Sequence, residues 1–167
     1  MTAPHAPVVT THLELMRAAD LRPPAGPPPA GLRVTDVHDP RVNRDLYARV
    51  GAGWSWTDRL GWSAAAWAAH ADRVETWLAS VDGEPAGYYE LDVPDATSGA
   101  EIAMFGLLGA YHGQGLGGHL LTHAIRRGLA RAPRVWVHTC TLDGPHALAN
   151  YEARGMRAFR TEVEPPA

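Results

Sequence analysis

The chain carries a single cysteine, Cys140, in 167 residues. That excludes an internal disulfide and a multi-cysteine metal site. Positive charge is not in surplus either. The formal net charge is −3 and no long basic run appears, so nothing favours nucleic acid as a partner. No apolar run approaches the length of a membrane span, so no membrane association is expected. The opening residues, MTAPHAPVVTTHL, have neither a basic n-region nor an apolar h-region. No signal peptide is expected, and the cytoplasm is the default location. The nine histidines contain no H-E-x-x-H pattern. His119 and His123 stand four apart, a spacing two helical ligands share, but no third ligand accompanies them. They read as polar residues on a solvated face, and no metal is expected.

What is present suits a single domain spanning 1–167 with a real core, since 46% of the residues are apolar. The stretch Glu101 to Leu121, EIAMFGLLGAYHGQGLGGHLL, reads as a strand, a glycine-rich turn and the start of a helix. Glu101 to Leu108 is almost wholly apolar, as in a strand covered on both faces. Glycines at 113, 115, 117 and 118 let backbone N–H groups turn toward one anion, and a helix starting there adds its positive end. Leu116, Leu120, Ala124 and Gly128 recur at intervals of four, with Leu121, Ile125 and Leu129 beside them. The pattern points to a phosphate-bearing ligand, although glycine clusters between strand and helix are often only turns. A rival is a nicotinamide-dinucleotide site, because Gly113 to Gly118 matches G-x-G-x-x-G literally.

The rest of the chain weighs against that rival. Thr10 to Met16 reads as a short strand with Leu13 and Leu15 on one side. Arg22 to Gly31 is a proline-rich connector that can be neither helix nor central strand. Leu32 to Val37 alternates as a strand, and Pro40 to Val50 spaces Val42, Leu46 and Val50 as a helix. Ser63 is an N-cap for AAAWAAHADR. Five tryptophans, at 54, 56, 62, 67 and 77, cover a sheet edge or wall a pocket. Asp82-Gly83 between β-rich runs marks a hairpin. Arg134 to Thr141 is a strand that should lie parallel beside the Glu101 strand. Asp143-Gly144-Pro145 opens a helix with proline in its first turn, Gly155 ends it, and Arg157 to Val163 is a last strand. A dinucleotide fold would open on its glycine fingerprint and place an acid about 20 residues on, at the next strand's tip. Here that tip offers Thr139, Cys140 and Thr141.

The order of elements and two motifs resemble the GNAT superfamily of N-acetyltransferases. The family's pyrophosphate loop, Q/R-x-x-G-x-G/A, reads here His112-Gly113-Gln114-Gly115-Leu116-Gly117. Its last helix, N-x-x-A-x-x-x-Y-x-x-x-G-F, finds Gly144, Ala147, Tyr151, Gly155 and Met156. The likeness is good over residues 77 to 160; earlier residues share only the element order. His112 stands where an arginine or glutamine is usual, and Gly144 where an asparagine helps hold the pantetheine arm. Asn150 is near in sequence but on another side of the helix.

The resemblance implies an α/β (α+β) fold. A central mixed, mostly antiparallel sheet with a splayed parallel pair would be flanked by about four helices. Residues 1–31 would form the first strand and connector, 32–76 the acceptor-side helices, and 77–163 the cofactor-binding core. Acetyl-CoA would be the cosubstrate, its pyrophosphate on His112, Gly113, Gln114, Gly115, Leu116, Gly117 and Gly118. Its pantetheine would pair with the backbone of Phe105, Gly106 and Leu107. Tyr151 would protonate the leaving thiolate, and Glu101 would accept the amine proton. His138 is an alternative base, and Cys140 a less favoured acyl-carrying nucleophile. Trp54, Trp56, Tyr88 and His138 are candidate acceptor contacts; Trp62 and the acids Glu90 or Glu101 could join Trp54 and Trp56 in the amine pocket, and Tyr88 or Tyr89 could face the acetyl group beside Tyr151. The reaction implied is direct acetyl transfer to a small-molecule primary amine whose identity the sequence leaves open. The oligomeric state is equally open, a homodimer being one option. A CoA-binding module without catalysis is the alternative that His112 and Gly144 motivate.

Overall fold

A computed structural model describes residues 6–165 of the chain. Its strands are β1 (Val8–Leu15), β2 (Leu32–Val37), β3 (Glu75–Val81), β4 (Glu84–Asp92), β5 (Ala100–Leu107), β6 (Val135–Cys140) and β7 (Arg157–Glu164). The helices are α1 (Pro40–Gly51), α2 (Ala64–Arg73), α3 (Leu116–Arg131) and α4 (Ala147–Ala153). All seven strands form one sheet in the order β2-β3-β4-β5-β6-β1-β7. Only β5 and β6 pair in parallel; the other neighbours are antiparallel. The fold is the α/β arrangement expected from the sequence.

Local chemistry accounts for the boundaries. Asp82 and Gly83 take φ of 50° and 84°, positive at both turn positions as a two-residue hairpin with right-handed twist demands. Asp39 accepts the Arg41 N–H ahead of α1, and Ser63 accepts the Ala66 N–H ahead of α2 at 3.1 Å. At the far end of α4, Gly155 has φ 96°. Its N–H reaches Glu152 O while that of Met156 reaches Tyr151 O, the paired bonds of a left-handed helix cap. A β-carbon at 155 would stand 2.0 Å from Asp20 O, so glycine is required twice over.

α3 lies across one face of the sheet. Leu120, Leu121, Ala124 and Ile125 are fully buried there, packed with Leu13, Leu15, Ile102, Val135 and Val137. α1 contributes to the other face, where Leu46 and Val50 pack with Tyr88 and Leu108.

Three expectations need correction. β5 runs from Ala100 to Leu107, and only Ala100 and Ile102 in it are buried, because its C-terminal half has no parallel neighbour to cover it. α4 begins at Ala147, not at Gly144-Pro145. The Asp143 carboxylate instead bonds back to Thr139 Oγ1 at 2.6 Å and to the Cys140 N–H at 3.0 Å, which holds those residues in a turn. His123 is not on a solvated face: its Nδ1 lies 2.7 Å from Tyr89 Oη and its ring is tilted on Trp77. Burial, with Arg127 and Arg126 nearby, lowers its pKa. His119 is half-buried as well.

Candidate active site

The site begins as a defect in the sheet. β5 and β6 pair only through Ala100 with Val135 and Glu101 with Trp136. Just beyond, the β4–β5 register shifts: Leu91 faces Ile102 and Glu90 faces Met104, leaving Ala103 as an extra residue. Such a bulge bends a strand and increases its twist. Phe105, Gly106 and Leu107 follow on the half of β5 that parts from β6. Their β6-facing edge has no ladder partner, the kind of open edge along which an extended ligand bearing amides can pair.

At the end of that edge the chain makes a short 3-10 turn, Gly109–Tyr111, and enters the glycine loop. Gly113 and Gly115 take φ of 73° and 78°, and Gly115 is the N-cap of α3 without a side-chain cap bond. The turn bonds before the loop engage the Tyr111 N–H, to Leu108 O, and the His112 N–H, to Gly109 O. Among the described residues no such turn bond engages the N–H groups from Gly113 to Gly118, and a β-carbon on Gly113 or Gly115 would meet nothing within 4 Å. Successive free N–H groups at the positive end of a helix make an anion cradle. Gln114 turns its amide away, onto Ala110 O at 2.8 Å. Leu116 is buried beneath the loop.

His112 does not face the cradle. Its Nε2 sits 3.0 Å from Leu107 O and its ring stacks on Trp54, with centroids 6.2 Å apart. Trp54 reaches across to the loop that follows β6 as well: a β-carbon at Gly144 would lie 3.2 Å from its ring. The indole therefore spans the mouth of the splay, and Gly144 makes room for it. Asn150, set aside on sequence grounds, donates from Nδ2 to Gly117 O at 3.2 Å, tying α4 to the first turn of α3.

Two proton-carrying groups lie on opposite faces. Ala100 and Ile102 belong to the core beneath α3, so alternation along the strand points Glu101 to the other face. Its side chain is 24% exposed and 3.8 Å from His138 Nε2. Burial, reinforced by Asp92 and opposed by His138, raises its pKa. Tyr151 is 5% exposed within the core beneath α3 and meets Phe105 edge-on at 6.1 Å. Burial, with Asp143 adding to it, pushes the phenol pKa far up. The structure does not bring Glu101 and Tyr151 into contact; the splay lies between them. Cys140 is half-buried at the tip of β6.

The remaining aromatic candidates divide. Trp56 packs on Gly51 and Tyr47 and approaches Gly106. Trp67 is buried in α2, and the Trp62 ring is tilted against it. Trp77 stacks on Tyr89 beneath α3. Tyr88 is fully buried beneath α1 with no partner for its hydroxyl. Glu90 is fully buried too, held by Asn43 at 2.9 Å, His70 at 2.7 Å and Arg59 at 3.1 Å.

Sequence reasoning missed one residue here. The Arg154 guanidinium, from the end of α4, lies against the first turn of α3, where a β-carbon at Gly118 would be 2.2 Å from its Nη1. Its Nε is buried without a hydrogen-bond partner. An arginine just before a helix-ending glycine gives no sign in the sequence that it reaches another helix. An orphaned cationic donor beside an open N–H cradle fits a phosphate-bearing cofactor.

A mixed sheet with helices on both faces, a parallel pair that splays and an open N–H cradle at its end suits a phosphate-bearing cofactor. The sequence matches the model of the Acetyltransferase (GNAT) family over residues 41–156, and the chain belongs to that family. Among curated proteins no sequence match is found. Solved structures share the fold at low identity. A GCN5-related N-acetyltransferase from Kribbella flavida is 20% identical, with TM-score 0.63, covering 95% of this chain and 58% of its own. One from Sphaerobacter thermophilus is 14% identical, with TM-score 0.66, covering 99% and 54%. An IAA acetyltransferase from Bacillus cereus is 22% identical, with TM-score 0.56, covering 77% and 79%. The chain thus spans little more than half the length of the first two.

Proposed function

We propose that this chain transfers the acetyl group of acetyl-CoA to a primary amine of a small molecule, by direct attack in a ternary complex. The observation that carries the reading is the parallel pair that parts after Glu101 and Trp136 and ends at an open cradle of N–H groups. Those N–H groups, Gly113 to Gly118, would hold the pyrophosphate, and the free edge at Phe105, Gly106 and Leu107 would pair with the pantetheine amides. When bound, acetyl-CoA supplies an activated thioester. Glu101 accepts the proton that the amine loses as its nitrogen bonds to the acetyl carbon. A carboxylate with a raised pKa is better matched to that task near neutrality, and His138 at 3.8 Å is the alternative base. As the carbon–sulfur bond breaks, Tyr151 donates its phenolic proton to the thiolate; its raised pKa keeps that proton in place until then. Trp54, Trp56 and His138 line the acceptor's approach on the Glu101 side, with Tyr88 behind them.

The test is thiol release from acetyl-CoA across a panel of small amines. The chain contains no lysine, so acetylation of its own lysines cannot contribute background. Tight CoA binding without acetylation of any amine sinks the enzymatic reading. It would favour a non-catalytic CoA module, a second reading motivated by His112 turned from the loop and Trp54 laid over Gly144. A thermal shift with NAD or NADP but not CoA would return the site to dinucleotide binding.

A further inference from the structure

We propose that Arg154 is the cation that grips a phosphate of the CoA cosubstrate, supplying the charge that His112 does not direct at the loop. The proposal rests on the acetyl-CoA reading and concerns which side chain completes its phosphate site.

The backbone of Arg154 is fixed from several sides. Its N–H donates to Asn150 O, its carbonyl accepts from the Arg22 N–H at 2.9 Å, and the adjoining Gly155 is wedged against Asp20. From that anchor the side chain crosses to Gly118. The absence of a β-carbon there admits the guanidinium, and Pro24 closes in at 3.0 Å from where that atom would be. Gly118 lies in the first turn of α3, so Arg154 sits beside the positive end of a helix dipole. A cation is disfavoured at that position unless an anion joins it. Among the described residues no carboxylate comes within 4.0 Å of it, whereas Arg59, Arg127, Arg131 and Arg134 all have such partners. Among the described residues its Nε is the only arginine nitrogen that is buried without a hydrogen-bond partner, and burial, with no anion opposing it, lowers its pKa.

A phosphate resolves each of these costs. It offers acceptor oxygens to the planar fork of donors and negative charge to both the guanidinium and the helix end. Leaving the buried Nε without an acceptor is otherwise costly. The chemistry recognised is a phosphate ester or diphosphate; CoA carries both, as a 3′-phosphate and a pyrophosphate.

Calorimetric titration of CoA, 3′-dephospho-CoA and pantetheine into the wild-type chain and Arg154→Gln separates the options. The expected result is CoA affinity reduced about 10- to 100-fold in the variant, with pantetheine affinity unchanged and the unfolding temperature of the free protein not lowered. A loss that persists with dephospho-CoA assigns Arg154 to the pyrophosphate; a loss confined to CoA assigns it to the 3′-phosphate. CoA affinity within twofold of wild type, or an equal loss for pantetheine, overturns the proposal. If Arg154→Gln fails to fold, Gly118→Ala places a methyl group where the guanidinium lies and displaces it. That variant must show the same selective loss, and unchanged CoA binding there is equally fatal. A wild-type chain that binds neither CoA form overturns the acetyltransferase reading together with this one.

Discussion

Glu90 and Glu101 stand on adjacent strands, and the structure treats them in opposite ways. Glu90 is fully buried beneath α1 and α2. Burial alone would raise its pKa, but His70, Arg59 and Asn43 outweigh it and the net shift is downward. Glu101 keeps a window to solvent, has only His138 at 3.8 Å, and is shifted upward by burial. A carboxylate whose charge is fully answered belongs to the framework. One whose charge is left under-answered beside a cleft is available for chemistry. The comparison separates the acid that holds the α1–α2 layer from the acid proposed to take a proton.

The largest effect should come from the under-answered member. Glu101→Gln is expected to lower kcat by about 10²- to 10⁴-fold, the usual scale for a lost general base. In the wild type the rate should climb with pH through a pKa above the ordinary glutamate value of about 4.3, and steady-state pH profiles should lose that limb in the variant. An unchanged acid limb would move the role to His138. Because a raised carboxylate pKa adds stability below the unfolded value and loses it as pH rises, Glu101→Gln should unfold no earlier than wild type at pH 7.

Glu90→Gln should do the reverse, sparing the chemistry while costing about 3–5 kcal/mol, because it leaves Arg59 and His70 without their anion. Its pKa is lowered, so its contribution is present above the unfolded value near 4.3 and fades as pH falls through the folded one. Denaturation series between pH 7 and pH 3 should therefore be less steeply pH-dependent in the variant. Equal slopes would mean that Glu90 is not the acid-sensitive group. Leu120→Ala, on the buried face of α3, serves as the apolar control. A loss of about 2–5 kcal/mol is expected, with the same value at pH 5 and pH 8. Smallest of all, Ser63→Ala should cost about 1 kcal/mol through the lost α2 cap, visible as a few degrees in thermal melts and absent from kinetics.

Much of this was legible beforehand because local signals fixed it. Asp82-Gly83, Ser63 and Gly155 each demand one backbone geometry, and the α3 stripe of Leu116, Leu120 and Ala124 has one face to bury. The two motifs placed the glycine loop and Tyr151 on their elements. What escaped depends on distance in the chain. Arg154 meets Gly118 across two helices, Trp54 bridges His112 and Gly144, and the Glu90 network joins residues from α1, α2, the segment between them and β4. Periodicity carries no trace of such meetings. His123 was misread for a related reason: a polar residue at the margin of an apolar stripe faces solvent unless another element, here Tyr89 on β4, offers it a bond.

The position of β1 has a consequence for how the chain assembles during synthesis. β1 sits between β6 and β7 and finds no strand partner until Val135 and its successors have left the ribosome. At about 5–20 residues per second, that strand waits on the order of ten seconds, while the β2–β5 meander has all its partners at hand. β1 is therefore made well before it can be docked. β1 is paired on both edges only when β7 arrives beside it, so mutations that slow the release of residues 135–164 should expose β1 to cellular chaperones before they alter the finished site.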